Sequence, residues 1–463
     1  MSVRAAKPRV AIVGGGIAGV TAAWELARLG VVDATLFEAS TRLGGTVETV
    51  HRDGFTIECG PDGWVSEKPW AKELAGELGL APELILSNDA DRVTYTVHGG
   101  ELLAMPDGMR MMVPTNFAAL EGSPLFTCEA RAAYAAEPGR AAELRHSAPT
   151  QDESVANFVL RHFGAEVLTK IAAPLLSGVF GGDVAKLSVR AVMPAFVAME
   201  REYGSLILAL QARTGKLAQA IFTSLDCGLE SLVERMVAEI PEGWLRLSAP
   251  VSAITKDDGW VVSFGSKEER FDALLLAVPA HVARALLLPL DQRMAQLLEM
   301  EATSAVVAAL AFDESFPLPA GFGFLVPAGE QSELLACTFT DQKYPGRAPT
   351  GKRLLRAFFG AEAAPRIAAM RDDHIAALAH ADLSRILSPI SGKLPQPAFH
   401  VVRRWPQGLP QYGVDHVERM AELDVRRRKH AGLWLLGNAY RGVGLPDLIR
   451  DARSAAHEVV GSW

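Results

Sequence analysis

Three glycines near the N-terminus have the spacing with which a backbone loop binds a pyrophosphate. Gly14, Gly16 and Gly19 follow an apolar segment at 10–13, and a helical pattern of apolar residues continues from 20 to 29. The first glycine permits a tight turn, the second lets the backbone approach the phosphates, and the third lets the helix pack closely on the strand. The N-terminus of that helix then faces the phosphates. The pattern therefore predicts a dinucleotide-binding unit.

An acidic residue downstream narrows the choice of dinucleotide. Glu38 follows a second predicted strand at 34–37, in the position where a carboxylate hydrogen-bonds an adenosine ribose. The next residue is Ala39, so no cation stands directly beside the acid to receive a 2′-phosphate. This arrangement argues against NADP.

The composition is that of a large globular protein with two or three domains. Hydrophobic residues make up 49% of the 463 residues and charged residues 22%, and the formal net charge is −8. This balance gives no electrostatic footprint for nucleic acid, which we exclude as a partner. The four cysteines lie far apart without Cys/His pairing, so we expect neither a zinc site nor a disulfide framework. Residues 1–8 lack the apolar region of a signal peptide. We therefore expect a cytoplasmic protein, with peripheral contact to the inner face of the membrane left open.

A second glycine-containing segment points to a flavin. Arg42, Gly44 and Gly45 lie in the sequence Arg-Leu-Gly-Gly, which resembles the second signature of FAD-dependent amine oxidases, porphyrinogen oxidases and carotenoid desaturases. In those families the arginine and the paired glycines pass close to the bound flavin. The resemblance implies that the cofactor is FAD, bound noncovalently.

The order of predicted elements indicates that the flavin domain is assembled from separate stretches of the chain. A buried strand at 433–436 precedes a glycine-rich loop and a helix at 446–460. We predict an α/β fold of amine-oxidase-like architecture, with a discontinuous Rossmann-like FAD-binding domain, a sheet-based substrate domain and a helical insertion domain. The predicted boundaries assign 1–65, 211–300 and 421–463 to the FAD-binding domain, 66–90 and 301–420 to the substrate domain, and 91–210 to the helical domain, for which a membrane-facing role stays open.

Further segments resemble one family among the flavin oxidases. The stretches 176–183, 186–188 and 202–207 are similar to the central signature of oxygen-dependent porphyrinogen oxidases, a signature that amine oxidases do not share. The C-terminal signatures of the same family match at 404–406, 409–412 and 442–447. The resemblance spans essentially the whole chain, which is identified as a member of this family.

The resemblance implies FAD-dependent oxidation of a porphyrinogen to the porphyrin in haem biosynthesis. The reaction takes three two-electron steps, with O2 as the acceptor and hydrogen peroxide as the by-product. Segments at 105–115 and 336–356 resemble the branch that oxidises coproporphyrinogen III, whereas 404–406 and 437–445 are closer to bacterial proteins called protoporphyrinogen oxidases. We therefore prefer coproporphyrinogen III as the substrate, with protoporphyrinogen IX as the alternative.

Other functions remain open at this point. An FAD amine oxidase or a carotenoid desaturase is a more remote alternative, and so is a flavin-bearing scaffold or chaperone without enzymatic activity. A role in haem biosynthesis also suggests ferrochelatase as a partner. The sequence leaves open whether the protein is a monomer or a homodimer.

The candidate cofactor residues lie in the two glycine signatures, in a turn at 60–63, at the start of one strand, in a tryptophan-containing segment and in the C-terminal loop. They are Gly14, Gly15, Gly16, Ile17, Ala18, Gly19, Glu38, Ala39, Arg42, Gly44, Gly45, Thr46, Gly60, Pro61, Asp62, Gly63, Val251, Trp405, Val443, Gly444 and Leu445.

The candidate substrate residues follow from the chemistry of a porphyrinogen, which has apolar faces and acidic edges and needs an apolar slot with cations at its rim. By resemblance, the ring packs against Leu325, Leu335 and Phe358, while Lys68, Arg92 and Lys343 meet its carboxylates. The histidines are scattered, and we find no nucleophile–base constellation. We therefore predict no catalytic side chain and no metal site.

Overall fold

The structure is a computed structural model that describes residues 7–213, 220–360 and 363–463. Residues 1–6, on which the expectation about export partly rests, lie outside the described residues. The same holds for the side chains of 177–180, which belong to the signature at 176–183.

A five-stranded parallel sheet forms the nucleotide-binding part of the fold. Its strands come from three distant stretches of the chain and run in the spatial order Leu245–Arg246, Asp33–Phe37, Arg9–Val13, Ala273–Leu276 and Leu433–Leu435. The central strands are continuously apolar because both faces of the sheet are buried. Helices Ile17–Leu29 and Leu445–Val460 pack together on one face. An antiparallel three-stranded sheet covers the other face.

A seven-stranded sheet forms the second large element. Its spatial order is Phe399–Pro410, Ala302–Phe312, Arg353–Phe359, Ala336–Phe339, Gly323–Leu325, Thr94–His98 and Glu101–Ala104. All neighbours are antiparallel except Gly323–Leu325 and Thr94–His98, which run parallel. The helix Asp372–Ser391 packs its apolar side on one face. On the opposite face, Leu325, Ala336 and Phe358 are only half-buried, so part of this face remains open.

A group of helices between residues 118 and 212 packs around a core of its own. Among them, Val155–Val167 begins directly after Ser154, because the Ser154 hydroxyl accepts a hydrogen bond from the Asn157 amide and caps the helix. The remaining strands pair in small sheets and lie at Thr49–Arg52, Phe55–Glu58, Trp64–Val65, Leu84–Leu86, Met109–Arg110, Val113–Pro114, Phe222–Leu225, Val251–Lys256, Trp260–Phe264 and Lys267–Phe271. The other helices are Trp70–Glu77, Ala118–Glu121, Cys128–Ala136, Ala141–Ser147, Ala173–Phe180, Val189–Val192, Pro194–Tyr203, Leu206–Ala212, Glu230–Glu239, Ala280–Leu287, Gln292–Leu297, Thr340–Lys343, Ala363–Ala368 and His416–Arg427.

Two stretches pack differently from the predicted division of the chain. Within 66–90, which we assigned to the substrate domain, Ala71 and Leu74 of the helix Trp70–Glu77 enter the core of the nucleotide-binding part. They do so because this helix packs against the C-terminal helix. Thr94–His98 and Glu101–Ala104, which we assigned to the helical domain, form the edge of the seven-stranded sheet. Within the described ranges, no helix has both the length and the apolarity needed to cross a membrane.

A buried ionic network joins the helices between residues 118 and 212, which form the helical part of the fold. His162 is fully buried, with Nδ1 2.9 Å from Glu137 Oε1 and Nε2 3.1 Å from Glu200 Oε1. Arg161 Nη1 donates to the same Glu200 oxygen at 2.6 Å, and the Leu206 amide donates to Glu137 at 2.8 Å. Only an imidazolium carries the two N–H groups that both carboxylates require. Burial alone would lower the pKa of His162, but the two carboxylates outweigh it and raise that pKa.

The raised pKa of His162 predicts a stability that declines in alkali. A group whose pKa is higher in the folded state stabilises fully below its ordinary pKa of about 6.5 and loses that contribution as the pH rises through the folded value. The free energy of unfolding should therefore fall more steeply above about pH 6.5 in the native protein than in a His162→Gln variant. Denaturant unfolding over a series of pH values measures this, with His98→Gln, at an exposed histidine, as the control. A constant difference between native protein and His162→Gln across the series would contradict the assignment.

Candidate cofactor and substrate site

The glycine-rich loop between the first strand and the first helix contains glycines of two kinds. A Cβ added to Gly14 would lie 2.3 Å from Ala277 O, and one added to Gly19 would lie 1.9 Å from Gly14 O. These two glycines are required by the packing of the protein itself. By contrast, no described atom lies within 4 Å of a Cβ added to Gly16. The protein gives no steric reason for a glycine at this position.

The open space beside Gly16 fits a pyrophosphate. Gly16 is the N-cap of the helix Ile17–Leu29, and among the described residues no side chain caps that helix. The first amides of a helix lack intrahelical partners and favour an anion. An open cradle at an uncapped helix N-terminus is what an FAD pyrophosphate requires, so the residues present fit the predicted cofactor.

Glu38 is held in place by the backbone around it. Its Oε2 accepts a hydrogen bond from the Gly15 amide at 2.6 Å, and its Oε1 accepts one from the Ser40 amide at 2.8 Å. An ionised carboxylate has about four lone-pair positions, so acceptor capacity remains for the two ribose hydroxyls. The Ala249 amide donates to Glu38 O at 2.9 Å, which brings the segment that leads to Val251 alongside Ala39 and Ser40.

The segment 42–46 lies directly against the glycine-rich loop. The Gly44 amide donates to Gly15 O at 2.8 Å, and a Cβ on Gly45 would lie 3.1 Å from Gly16 Cα. The Arg42 guanidinium donates to the carbonyls of Leu43 and Val47, at 2.9 and 3.1 Å. Arg42 therefore folds its own loop into shape beside the predicted cofactor cradle.

The turn Gly60-Pro61-Asp62-Gly63 joins the strands Phe55–Glu58 and Trp64–Val65, which belong to two small sheets. A Cβ on Gly60 would lie 1.9 Å from Thr46 O, and one on Gly63 would lie 2.2 Å from the Tyr344 hydroxyl. Trp405, from the seven-stranded sheet, donates its indole N–H to Cys59 O at 2.8 Å. The turn is thus packed between the segment 42–46 and the seven-stranded sheet.

Asp62 is the centre of a cluster of charges at this turn. Both of its oxygens lie 3.0 Å from Lys343 Nζ, and Arg356 Nη1 lies 3.2 Å from Oδ2. Arg356 also donates to Gly60 O. Burial would raise the pKa of Asp62, but Lys343 and Arg356 outweigh it and lower that pKa. The carboxylate therefore stays ionised at neutral pH.

A second ion pair lies deeper, behind this turn. Arg347 and Glu58 are both fully buried, with Arg347 Nη2 3.4 Å from Glu58 Oε1. Burial raises the pKa of Glu58 despite the guanidinium. Arg347 also donates to Ser224 Oγ at 2.6 Å, while its Nε and Nη1 have no hydrogen-bond partner among the described residues.

The C-terminal loop presents a second helix N-terminus. Gly444 caps the helix Leu445–Val460 without a side-chain hydrogen bond from any described residue, and Pro446 occupies its first turn. A Cβ on Gly442 would lie 2.7 Å from Asp447 Cγ, so the loop passes close to that side chain. Val443, Gly444 and Leu445 therefore lie at a helix end whose free amides favour negative charge.

The open face of the seven-stranded sheet carries an apolar row. Leu325 pairs with Ala336, which pairs with Phe358, so the three side chains project from one face of adjacent strands. All three are half-buried. Arg356 lies two residues from Phe358 on the same strand and hence on the same face. Its ion pair with Asp62 places that carboxylate beside the row. Leu335 lies at the end of the row, where its amide donates to Phe358 O at 2.8 Å.

Each of the three predicted substrate cations already has a carboxylate partner. Lys68 Nζ lies 2.5 Å from Asp447 Oδ2, and Arg92 Nη1 lies 3.3 Å from Asp89 Oδ2. The side chain of Lys68 is 45% exposed and that of Arg92 31%, whereas Lys343, paired with Asp62, is only 12% exposed. Lys68 and Arg92 are therefore the two of these cations that solvent reaches.

Sequence reasoning missed Arg347 and Arg356. A signal for Arg356 was present, because it interrupts an apolar strand on the side that also carries Leu354 and Phe358. A cation on a buried face requires a buried carboxylate. The partner, Asp62, lies far away in the sequence, and no local pattern connects the two.

Because Gly16 has open space beside it, unlike Gly14 and Gly19, we predict that a side chain at this position removes the cofactor without unfolding the protein. A Gly16→Val variant should fold, because a side chain has room there, and should purify colourless, because valine occupies the pyrophosphate cradle. Absorbance near the flavin band and thermal unfolding measure the two effects separately. Gly76→Val is the matched control, since a Cβ at this exposed glycine also meets no described atom within 4 Å. Full flavin occupancy in Gly16→Val would refute the placement.

The chain is similar to known flavoproteins over nearly its whole length. The profile of the family described as flavin containing amine oxidoreductase matches residues 17–460. A coproporphyrinogen III oxidase of Bacillus subtilis (strain 168) is 32% identical over 480 residues, covering 98% of this chain and 98% of that protein. A chloroplastic protoporphyrinogen oxidase of Nicotiana tabacum is 28% identical, covering 97% of this chain and 85% of that protein.

A solved structure has the same architecture over nearly the full length. It is a protein from Exiguobacterium sp. 255-15, provisionally described as a protoporphyrinogen oxidase. It superposes with a TM-score of 0.86 at 30% identity, covering 98% of this chain and 99% of that one. The predicted fold class and the predicted resemblance are confirmed. The chain therefore belongs to the family of flavin containing amine oxidoreductases, and its cofactor is FAD.

Proposed function

We propose that the protein oxidises coproporphyrinogen III to coproporphyrin III, with FAD as the cofactor and O2 as the electron acceptor. The observation that carries this proposal is the half-buried apolar row on the seven-stranded sheet, which lies beside the turn that holds Asp62. The similarity to a coproporphyrinogen III oxidase over nearly the whole chain supports the choice of substrate. Three two-electron oxidations, each giving one hydrogen peroxide, complete the aromatic porphyrin.

The apolar row suits a broad, flat substrate. Leu325, Ala336 and Phe358 occupy three neighbouring strands, and strands lie about 4.8 Å apart, so the row extends over roughly 10 Å. Such a surface covers an apolar macrocycle better than a small amine. Leu335, at the end of the row, adds a further apolar contact.

The chemistry requires orientation more than it requires an acid or a base. When bound, FAD supplies the electron sink for a hydride that leaves a bridging carbon of the substrate. Leu325 and Phe358 hold the ring against the flavin site and keep water away from it. The accompanying pyrrole proton passes to water or to backbone groups. We therefore assign no catalytic side chain.

The substrate carboxylates are bound at the rim by Lys68 and Arg92. Arg92 and Asp89 are both partly exposed, and such an ion pair is worth about 0–1 kcal/mol, so a propionate displaces Asp89 at little cost. Asp447, the partner of Lys68, is buried, but its Oδ1 also lies 3.4 Å from Arg450 Nη1, so it keeps a cation when Lys68 binds a propionate. Lys343 already forms an ion pair with Asp62, so it contributes by holding Asp62 in place and does not bind a propionate itself. Four propionates on coproporphyrinogen III use more rim cations than the two on protoporphyrinogen IX.

The location of the protein, its partners and its division into domains belong to the same proposal. The protein works in the cytoplasm, in peripheral contact with the inner face of the membrane through the helical part, where Leu160 and Leu208 are 42% and 38% exposed. Ferrochelatase is a partner that would receive the product, and the protein works as a monomer or a homodimer. The division of the chain into FAD-binding, substrate and helical domains retains the predicted boundaries, apart from the placements described above.

The proposal predicts a substrate preference. The FAD-loaded protein, incubated in air with each reduced substrate, should generate porphyrin fluorescence faster from coproporphyrinogen III than from protoporphyrinogen IX. Lys68→Met and Arg92→Met should each weaken coproporphyrinogen III binding by about 1 kcal/mol, because rim charges are screened. Faster turnover of protoporphyrinogen IX would reverse the preference and select the second substrate. No fluorescence above the protein-free rate with either would reject the function.

If apolar contacts orient the substrate, truncating them should slow flavin reduction. Phe358→Ala and Leu325→Ala should slow anaerobic single-turnover flavin reduction more than His98→Gln or Asp183→Asn, which change exposed ionisable groups. Flavin content is checked first in each variant. If one of the charge changes abolished reduction while both apolar truncations left it intact, a dedicated acid or base would exist and this mechanism would be wrong.

A further inference from the structure

We infer that Tyr412 is a positioning residue for the flavin, because its hydroxyl bridges the two ends of the loop that leads to residues 443–445. The inference rests on the placement of FAD at those residues in the proposed site. It is independent of which substrate the enzyme oxidises.

The Tyr412 hydroxyl makes two hydrogen bonds, both to loop backbone. It donates to Asn438 O and accepts from the Gly442 amide at 3.1 Å. The side chain is buried, with 5% of the residue exposed. Two backbone groups four residues apart are thus fixed to one oxygen atom, and the turn between them cannot widen without breaking a bond.

His416 holds the middle of the same loop. Its ring stacks on the Tyr412 ring, with centroids 3.9 Å apart and planes 11° apart, and its Nε2 lies 3.1 Å from Tyr440 O. Burial lowers the pKa of His416 to about 4, so the ring is neutral at physiological pH. A carbonyl only accepts, so the single proton must reside on Nε2. Tyr412 and His416 therefore hold three backbone groups of the loop.

Tyr412 itself is anchored to the rest of the protein through its own backbone. Its carbonyl accepts from the Ser188 amide at 2.7 Å, and the Val414 amide donates to Lys186 O at 3.1 Å. The strand Phe399–Pro410 of the seven-stranded sheet ends two residues earlier. The tyrosine therefore ties the C-terminal loop to both the helical part and the substrate sheet.

The loop determines where the last helix begins. Gly442 is two residues from Gly444, the N-cap of Leu445–Val460, and close contact with Asp447 leaves no room for a side chain at Gly442. A helix N-terminus stabilises negative charge. Reduced flavin is more negative than oxidised flavin, so a loosened loop weakens binding of the reduced form more than that of the oxidised form.

The test is a Tyr412→Phe variant, which keeps the ring and removes only the hydroxyl. Two buried backbone groups then lose their partner. We expect the dissociation constant of FAD to rise about tenfold. We also expect the ratio of the affinities for reduced and oxidised FAD to fall about tenfold, which shifts the two-electron potential by ~30 mV to more negative values. Equilibrium dialysis and potentiometric titration of the FAD-loaded protein measure the two quantities.

Tyr134→Phe is the matched control. The Tyr134 hydroxyl is also buried and also donates to a backbone carbonyl, Met112 O at 2.7 Å, but in the helical part. It should lower thermal stability and leave the flavin potential unchanged. If Tyr412→Phe does not fold, His416→Phe replaces it, since this change keeps the ring stack and removes the bond to Tyr440 O.

An unchanged potential and FAD affinity in the variant, or an equal change in Tyr134→Phe, would overturn the inference. Neither measurement uses a porphyrinogen. A protein that fails to oxidise porphyrinogens but shows the shift in Tyr412→Phe would therefore lose the proposed function and retain this inference.

Discussion

A buried set of charges fixes the FAD-binding turn to the substrate sheet, and the geometry of the site depends on it. Asp62 lies between Lys343 and Arg356, and Glu58 pairs with Arg347 behind it. Removing one partner of such a pair leaves an uncompensated buried charge, which typically costs ~3–5 kcal/mol. The separation between the cofactor turn and the apolar row is therefore set by ion pairs, whereas loops alone would leave it variable.

The cofactor site shows how far a protein's own packing explains its sequence. Gly14, Gly19 and Gly60 are glycines because neighbouring backbone lies within 2.3 Å of where a Cβ would be. Gly16 meets no described atom there, and its identity is explained by a ligand. At the N-terminus of the last helix, Tyr412 and His416 hold a loop whose shape we likewise explain by the cofactor placed beside Gly444.

Local patterns predicted much of this fold, and long-range partners account for what they missed. The buried strand predicted at 433–436 is observed at Leu433–Leu435, and the last helix starts one residue before its prediction, because periodicity and proline are local signals. The candidate cations were read as free rim charges, yet Lys343 pairs with Asp62, 281 residues away. Sequence spacing carries no information about such a pair, and for the same reason Arg356 went unrecognised.

The central claim is that the open sheet face presents a porphyrinogen to FAD for repeated two-electron oxidation. The most direct measurement is the stoichiometry of one reaction, with O2 uptake, hydrogen peroxide and porphyrin absorbance recorded together for FAD-loaded protein and coproporphyrinogen III. The account predicts three O2 consumed and three hydrogen peroxide formed for each coproporphyrin III. Porphyrin formed without matching peroxide, or at the rate seen with the colourless Gly16→Val protein, would contradict it.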